Sequence, residues 1–116
     1  MAVDIFLKLS NSIKGESQDT THKDNIDVLA WSWGLTQSGT THVGSGGGGG
    51  KVNVQDITLT KYVDLASNDL IKRCTSGEHI ESAELIVRKS GGKAPVEYFR
   101  IKMQTVMITS YVTGGS

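Results

Sequence analysis

Gly44, Ser45 and then Gly46, Gly47, Gly48, Gly49 and Gly50 divide two segments that alternate as β-strands do. Glycine loses more freedom on ordering than any other residue and has no side chain to pack. Such a run does not belong inside a helix or a packed strand. It is a tether, or backbone that presses close to something. Ile26-Asp27-Val28-Leu29-Ala30-Trp31-Ser32-Trp33-Gly34-Leu35 stands before it and Lys51-Val52-Asn53-Val54-Gln55-Asp56-Ile57 after it. The chain must therefore fold as β-segment, side-chain-poor arm, β-segment. The arm comprises Thr40, Thr41, His42, Val43, Gly44, Ser45, Gly46, Gly47, Gly48, Gly49, Gly50 and Lys51. It is a candidate for docking onto another copy of the chain.

The remaining periodicity is also mostly that of strands. Val3, Ile5, Leu7 and Leu9 alternate with Ala2, Asp4 and Lys8, and Phe6 is the exception on the polar face. Residues 10–25 are polar and turn-rich and read as a loop. In the next strand Leu29, Trp31, Trp33 and Leu35 share one face, and Trp31 and Trp33 are the expected core anchors because indoles dominate burial. Val28, Ala30, Ser32 and Gly34 form a small, smooth opposite face. That face is either an ordinary exposed sheet surface or a wall that meets a neighbour or lines a channel. Residues 52–63 read as strand with a slip of phase near Gln55-Asp56, which a bulge or a change of sheet would produce. One short helix follows, with Ser67 as N-cap, Asp69 near its positive end, Leu70, Ile71 and Cys74 as its apolar stripe, Lys72 and Arg73 in its last turns and Gly77 at C′. Ala83, Leu85 and Val87 share a face of another strand. A turn at Gly91-Gly92-Lys93-Ala94-Pro95 leads to a long strand or pair of strands, with a second slip expected beyond Gln104. Several strands, one helix and no βαβ alternation predict a mainly β fold, an antiparallel β-barrel or sandwich with one short flanking α-helix.

The totals narrow the function. At 116 residues the chain is one domain, and 37% hydrophobic content gives it a modest core. Lys and Arg together number 12, as do Asp and Glu, so the net charge is zero. The basic footprint of nucleic-acid binding is missing, and there is little charge repulsion against self-association. The single Cys74 cannot form an internal disulfide, which fits a reducing cytoplasm. The N-terminal segment has neither the basic start nor the unbroken apolar stretch of a signal peptide. No run reaches the roughly 18 apolar residues of a membrane span, so no membrane insertion is expected.

Sites of chemistry are weak. The glycine run matches G-x-G-x-x-G by letter only, because a β-segment and not a helix follows it. Cys74 and His79, with Glu78 and Glu81, could be read as a thiol nucleophile with its base, but they also fit an apolar helix stripe and a residue just past its cap. His22, Asp24 and Asp27 lack a second His or Cys for a metal site. Glu16 and Asp19 read as loop carboxylates bonded to solvent or to their own turn. The sequence therefore calls for no catalytic residue, no metal and no cofactor.

The order Lys14-Gly15-Glu16-Ser17, His22, Ile26-Asp27-Val28 and Trp31-Ser32-Trp33 resembles the haemolysin-coregulated protein (Hcp) family, the tube proteins of bacterial type VI secretion systems. The likeness continues through the glycine run, Lys51-Val52-Asn53-Val54-Gln55-Asp56, Lys61, Cys74, Gly77, Arg88-Lys89, Glu97-Tyr98 and Gly114-Gly115-Ser116. The resemblance implies a barrel of two sheets flanked by a helix, homohexameric rings that stack into a hollow tube, and a contractile sheath and spike protein as partners. It also implies small effector proteins held in the lumen, and passage from the cytoplasm to the outside or a target cell through the machine itself. Val28, Ala30 and Ser32 are then the lumen candidates. Members of the family run on past Gly-Gly-Ser with strands that complete the barrel, so the chain is expected to be incomplete at that end, with an open sheet edge. Two other readings compete with the tube subunit. One is a monomeric β-module that binds a sugar or peptide on exposed Trp31 and Trp33, and the other is a Cys74 hydrolase.

Overall fold

The computed structural model describes residues 3–38, 51–89 and 95–116. Residues 40–50 of the candidate arm and 91–94 of the expected turn lie outside the described residues; Lys51 lies within them and is exposed. The elements in chain order are β1 (Val3–Leu9), β2 (Ile26–Ser32), β3 (Leu35–Gln37), β4 (Val52–Val54), β5 (Thr58–Lys61), α1 (Leu65–Ser76), β6 (Ile80–Lys89) and β7 (Val96–Val106). They form one five-stranded sheet in the order β5-β2-β1-β6-β7 and one two-stranded sheet, β3-β4. The strand pairs whose register is resolved are antiparallel. Among the described residues the fold is thus mainly β with one helix, as expected. The larger sheet ends in two edges, β5 and β7, so among the described residues it is open and not closed into a barrel. The described residues gather into two compact units, Met1–Leu29 with Lys61–Ser116, and Ala30–Thr60.

In the first unit the register of β1 explains the core. Ile5 faces Val28 and Val87, and Leu7 faces Ile26 and Leu85. Directly opposed residues share a face, so these six side chains form one apolar layer. Phe6, the odd apolar residue, faces Asp27 and Ile86 on the other side. Phe6 is 4% and Ile86 2% exposed, so the central strands are covered on both faces. This register also corrects the reading of Val28. It lies in the core layer at 7% exposure and leaves the set of lumen candidates, while Ala30 and Ser32 are exposed.

A β-bulge sets the outer edge. Val87 faces Phe99, but Arg88 faces Glu97, so Tyr98 is the extra residue. Without it Arg88 would face Tyr98. With it, Glu97 turns onto the Phe6 side of the sheet and joins Arg100, three residues on, which a regular strand would place on the opposite face. The slip expected beyond Gln104 is not there, since Ser82–Gln104 and Ile80–Val106 keep one register. Instead Thr105 takes φ 53 and the strand ends at Val106.

The helix starts earlier than its sequence suggests. Asp64 is the N-cap, and Ser67 sits at N3 and closes a capping box with it. Asp64 accepts from the Ala66 N–H at 3.0 Å, and Ser67 Oγ accepts from the Asp64 N–H at 2.9 Å. Lys61 Nζ ties the corner by donating to Tyr62 O, Asp64 Oδ1 and Ser67 Oγ at 2.7, 2.9 and 2.9 Å. A run of Asp64-Leu65-Ala66-Ser67 offers two capping residues three apart. The sequence reading took the second as the cap, whereas in the structure the first caps the helix and Lys61 donates to both. Gly77 ends the helix at φ 72, its N–H bonded to Arg73 O at 2.9 Å.

In the second unit β3 and β4 pair as Leu35 with Val54 and Gln37 with Val52. The change of phase near Gln55-Asp56 is a change of sheet, since β4 belongs to the small sheet and β5 to the large one. Trp31 is half-buried, but Trp33 is 43% exposed, so it is not the core anchor its alternation implied. Alternation marks a face as apolar; it does not say whether the same chain covers that face.

Asp64→Ala should lower stability by about 1–2 kcal/mol, read from urea unfolding midpoints. Asp64→Asn, which keeps the cap acceptor, should cost less.

Candidate functional site

The most organised polar constellation lies on the Phe6 side of the large sheet, where residues 10–25 cross it. Asp4 and Phe6 stand on β1, Ile86 and Arg88 on β6, and Glu97 and Arg100 on β7 at the bulge. Arg88 grips the loop with a two-pronged bond to Asp19. Nη1 donates to Oδ2 at 3.1 Å and Nη2 to Oδ1. Its Nε and Nη2 also donate to Asp4 Oδ2, both at 3.2 Å. The guanidinium carbon lies 4.9 Å from the centre of the Phe6 ring, within range of a cation–π contact. His22 stacks on the same ring at 4.6 Å and 30°.

His22 makes the second grip. Its Nε2 lies 2.7 Å from Glu97 Oε2, and the Asn25 amide nitrogen is 3.5 Å from Nδ1. With Asn25 donating to Nδ1, the ring proton sits on Nε2 and is donated to Glu97. Glu97 also accepts from Arg100, which reaches Glu84 at 3.6 Å. Among the described residues no buried side-chain nitrogen or oxygen lacks a partner.

The charges respond accordingly. The Arg88 bond holds the Asp19 carboxyl down at about 2 against the opposing effect of burial, helped by the N–H groups of His22 and Thr21. Asp19 in turn raises Arg88, with Asp4 adding to it. Glu97 is lowered by His22 first and Arg100 second. These are the signatures of a structural ion network. The constellation holds no nucleophile, and every carboxylate in it is committed to a cation or to N–H groups.

Cys74 is half-buried on α1, and the His79 carbonyl accepts from Arg73 Nη1 at 2.8 Å. His22 commits Nε2 to Glu97, away from a metal role with Asp24 and Asp27. Among the described residues no cluster of His, Cys, Asp and Glu could hold a metal ion, and no helix is long and apolar enough to cross a membrane.

Comparison with known proteins decides the family. The family model for "Type VI secretion system effector, Hcp" matches residues 6–115. The chain belongs to the Hcp family. It is 53% identical over its whole length to Protein hcp1 of Pseudomonas aeruginosa, of which it spans 71%. Its fold superposes on the crystal structure of Hcp1 from Salmonella typhimurium with a TM-score of 0.81 at 41% identity, covering 100% of this chain and 73% of that one. It also matches a type VI secretion system effector from Yersinia pestis with a TM-score of 0.79 at 36% identity, over 97% of this chain and 74% of that one. Hcp proteins are structural, secreted components of type VI secretion and are not an enzyme family.

In this Hcp chain the assembly candidates read from sequence belong to the second unit and take no part in the ion network of the first. Ala30, Ser32 and Lys51 are exposed. Around them the second unit presents Trp33, Leu35, Val52 and Val54 at 43%, 53%, 54% and 58% exposure. Leu35 and Val54 are opposed, and Val52 lies two residues along on the same face. Sequence reading left Asp19 as a loop carboxylate and gave Asp4, Arg88 and Glu97 no role. A usable signal was Phe6, an aromatic residue on an otherwise charged face with Asp4 two positions away. Glu97 could not be found, because only the bulge turns it inward.

Gly15 closes the loop. A Cβ there would lie 2.6 Å from Asn25 O and 2.7 Å from Ile26 Cα. Gly15→Ala should therefore cost about 1–3 kcal/mol in urea unfolding. Asp19→Asn should cost about 1.5–3 kcal/mol at neutral pH. The folded carboxyl sits at about 2, below the ordinary 3.8. Its contribution is full above the ordinary value and lost as pH falls through the folded one. Wild-type and variant unfolding midpoints should converge as pH drops through that window.

Proposed function

We propose that this chain is a subunit of the type VI secretion tube. It closes into six-membered rings, the rings stack into a hollow tube within a contractile sheath beneath a spike protein, and the lumen holds small effector proteins during export. The observation that carries this reading is the family match across residues 6–115, with the Hcp fold retained at a TM-score of 0.81. Further support comes from the apolar surface of the second unit, which carries Trp33, Leu35, Val52 and Val54 in the open. Closed rings need two different patches that fit each other, and the arm of residues 40–51 is the proposed reach to a neighbour or to the next ring. Made in the cytoplasm, the chain leaves through the machine.

Ser32 and Ala30 are the proposed lumen residues. Ser32→Arg should impair effector retention while leaving rings intact, measured by co-purification of an effector and negative-stain imaging. Unchanged retention would remove Ser32 from the lumen.

One observation favours a second reading. Trp33 is 43% exposed, as a stacking platform in a monomeric sugar- or peptide-binding module would be. Light scattering after gel filtration, with imaging of the peak, separates the two. A mass near six subunits with annular particles supports the tube. A monomer whose indole emission shifts on adding a sugar or peptide supports the module.

A further inference from the structure

Residues 14–25 form a segment whose hydrogen bonds close on themselves. The N–H groups of Gly15, Ser17, Asp24 and Asn25 bond to the carbonyls of Asp24, Asn25, Ser17 and His22. Those of Asp19, Thr21 and His22 bond to the Ser17 hydroxyl and the Asp19 carboxylate. Among the described residues the tie to the sheet backbone comes before this segment. Ser10 N–H donates to Ser82 O, and Ser10 and Asn11 side chains accept from Ser82 and Glu81 N–H groups. Both ends are fixed by buried residues, Ile13 at 6% exposure and Ile26 at 1%. Between those points the segment meets the sheet through side chains at two places, Asp19 on Arg88 and His22 on Phe6 and Glu97.

Each sheet-side partner has a second partner that does not belong to the segment. Arg88 keeps Asp4 if Asp19 leaves, and Glu97 keeps Arg100 if His22 leaves. Lifting the segment therefore strands no charge on the sheet, and its own N–H groups keep their acceptors. The usual penalties that bind a polar loop to its fold, an orphaned buried charge or donor, are absent on both sides. What changes is the cover over Phe6, which is 4% exposed with His22 stacked on its ring, beside Ile86, its cross-strand neighbour at 2% exposure.

We propose that residues 14–25 are a latched strap that opens as one unit from the sheet, hinged near Ile13 and Ile26, and uncovers an apolar face centred on Phe6 and Ile86. Local opening of such a unit has a free energy below that of global unfolding. The two latches set the closed population.

Hydrogen exchange read by mass spectrometry on the full chain tests this, with Asp19→Asn and Glu97→Gln as latch variants and Asp69→Asn on α1 as control. Peptides within 14–25 should exchange roughly ten- to hundred-fold faster in each latch variant, the factor expected for weakening a charge-assisted bond. Peptides within β6 should speed up by no more than the loss of global stability allows, and in the wild type and each latch variant they should stay more protected than the strap, while the control should match the wild type throughout. Equal protection of β1, β6 and the strap, in the wild type and in each variant, would overturn the proposal, because the loop would then open only with the whole fold. No acceleration in either variant would overturn it as well. The wild type supplies a second readout should a variant fail to fold. In low urea the strap's exchange should depend on urea less steeply than that of β6, since less surface is exposed on opening. The same slope for both would sink the idea.

Discussion

The grip of Arg88 on Asp19 is the interaction on which the organisation of the first unit turns. It joins a side chain from the second-to-last strand to a loop that precedes the second, across a sequence separation of 69 residues. Around it the other pieces fall into place. Asp4 shares the guanidinium, Phe6 lies beneath it, and His22 is held over the same ring by N–H bonds to the Asp19 carboxylate. Beyond the Ser10–Ser82 backbone bond, these side chains hold the loop on the sheet. The face it covers can therefore carry a Phe and an Ile among Asp, Lys, Glu and Arg.

The bulge at Tyr98 serves the same constellation from the edge. An eleven-residue strand in regular register would send Glu97 and Arg100 to opposite faces. One extra residue puts both on the loop side, where Glu97 receives His22 and Arg100 steadies Glu97. The bulge also ends the regular stretch of an edge strand, which is one of the ways natural sheets discourage edge-to-edge pairing.

The second unit has the opposite character. Its strands are three residues long, and its larger apolar side chains, Trp33, Leu35, Val52 and Val54, are about half exposed. Surface of this kind suits a protein whose partner is another copy of itself. The contrast between an internally satisfied ion network and an apolar unit with exposed side chains fits the tube subunit proposed above, in which the second unit meets neighbours.

Period-two alternation and the helix pattern with Gly77 behind it were enough to read a mainly β fold from the sequence, because local sterics and hydrogen bonding produce those signals. The order of short motifs carried the resemblance to the Hcp family. The break near Gln55-Asp56 was also visible, because a change of sheet inverts the parity of every later side chain. What tertiary structure decided were the matters of partner choice. Ser67 looked like the N-cap until Asp64 took that place and left Ser67 at N3 of a capping box. Val28 looked like part of a smooth outer face until pairing with Ile5 placed it in the core, whereas Trp33 looked like core and is exposed. Asp19 looked like an ordinary loop carboxylate until Arg88 arrived from the far end of the chain. Alternation assigns side chains to a face, but only the register and the strands that flank it determine whether that face meets protein or solvent.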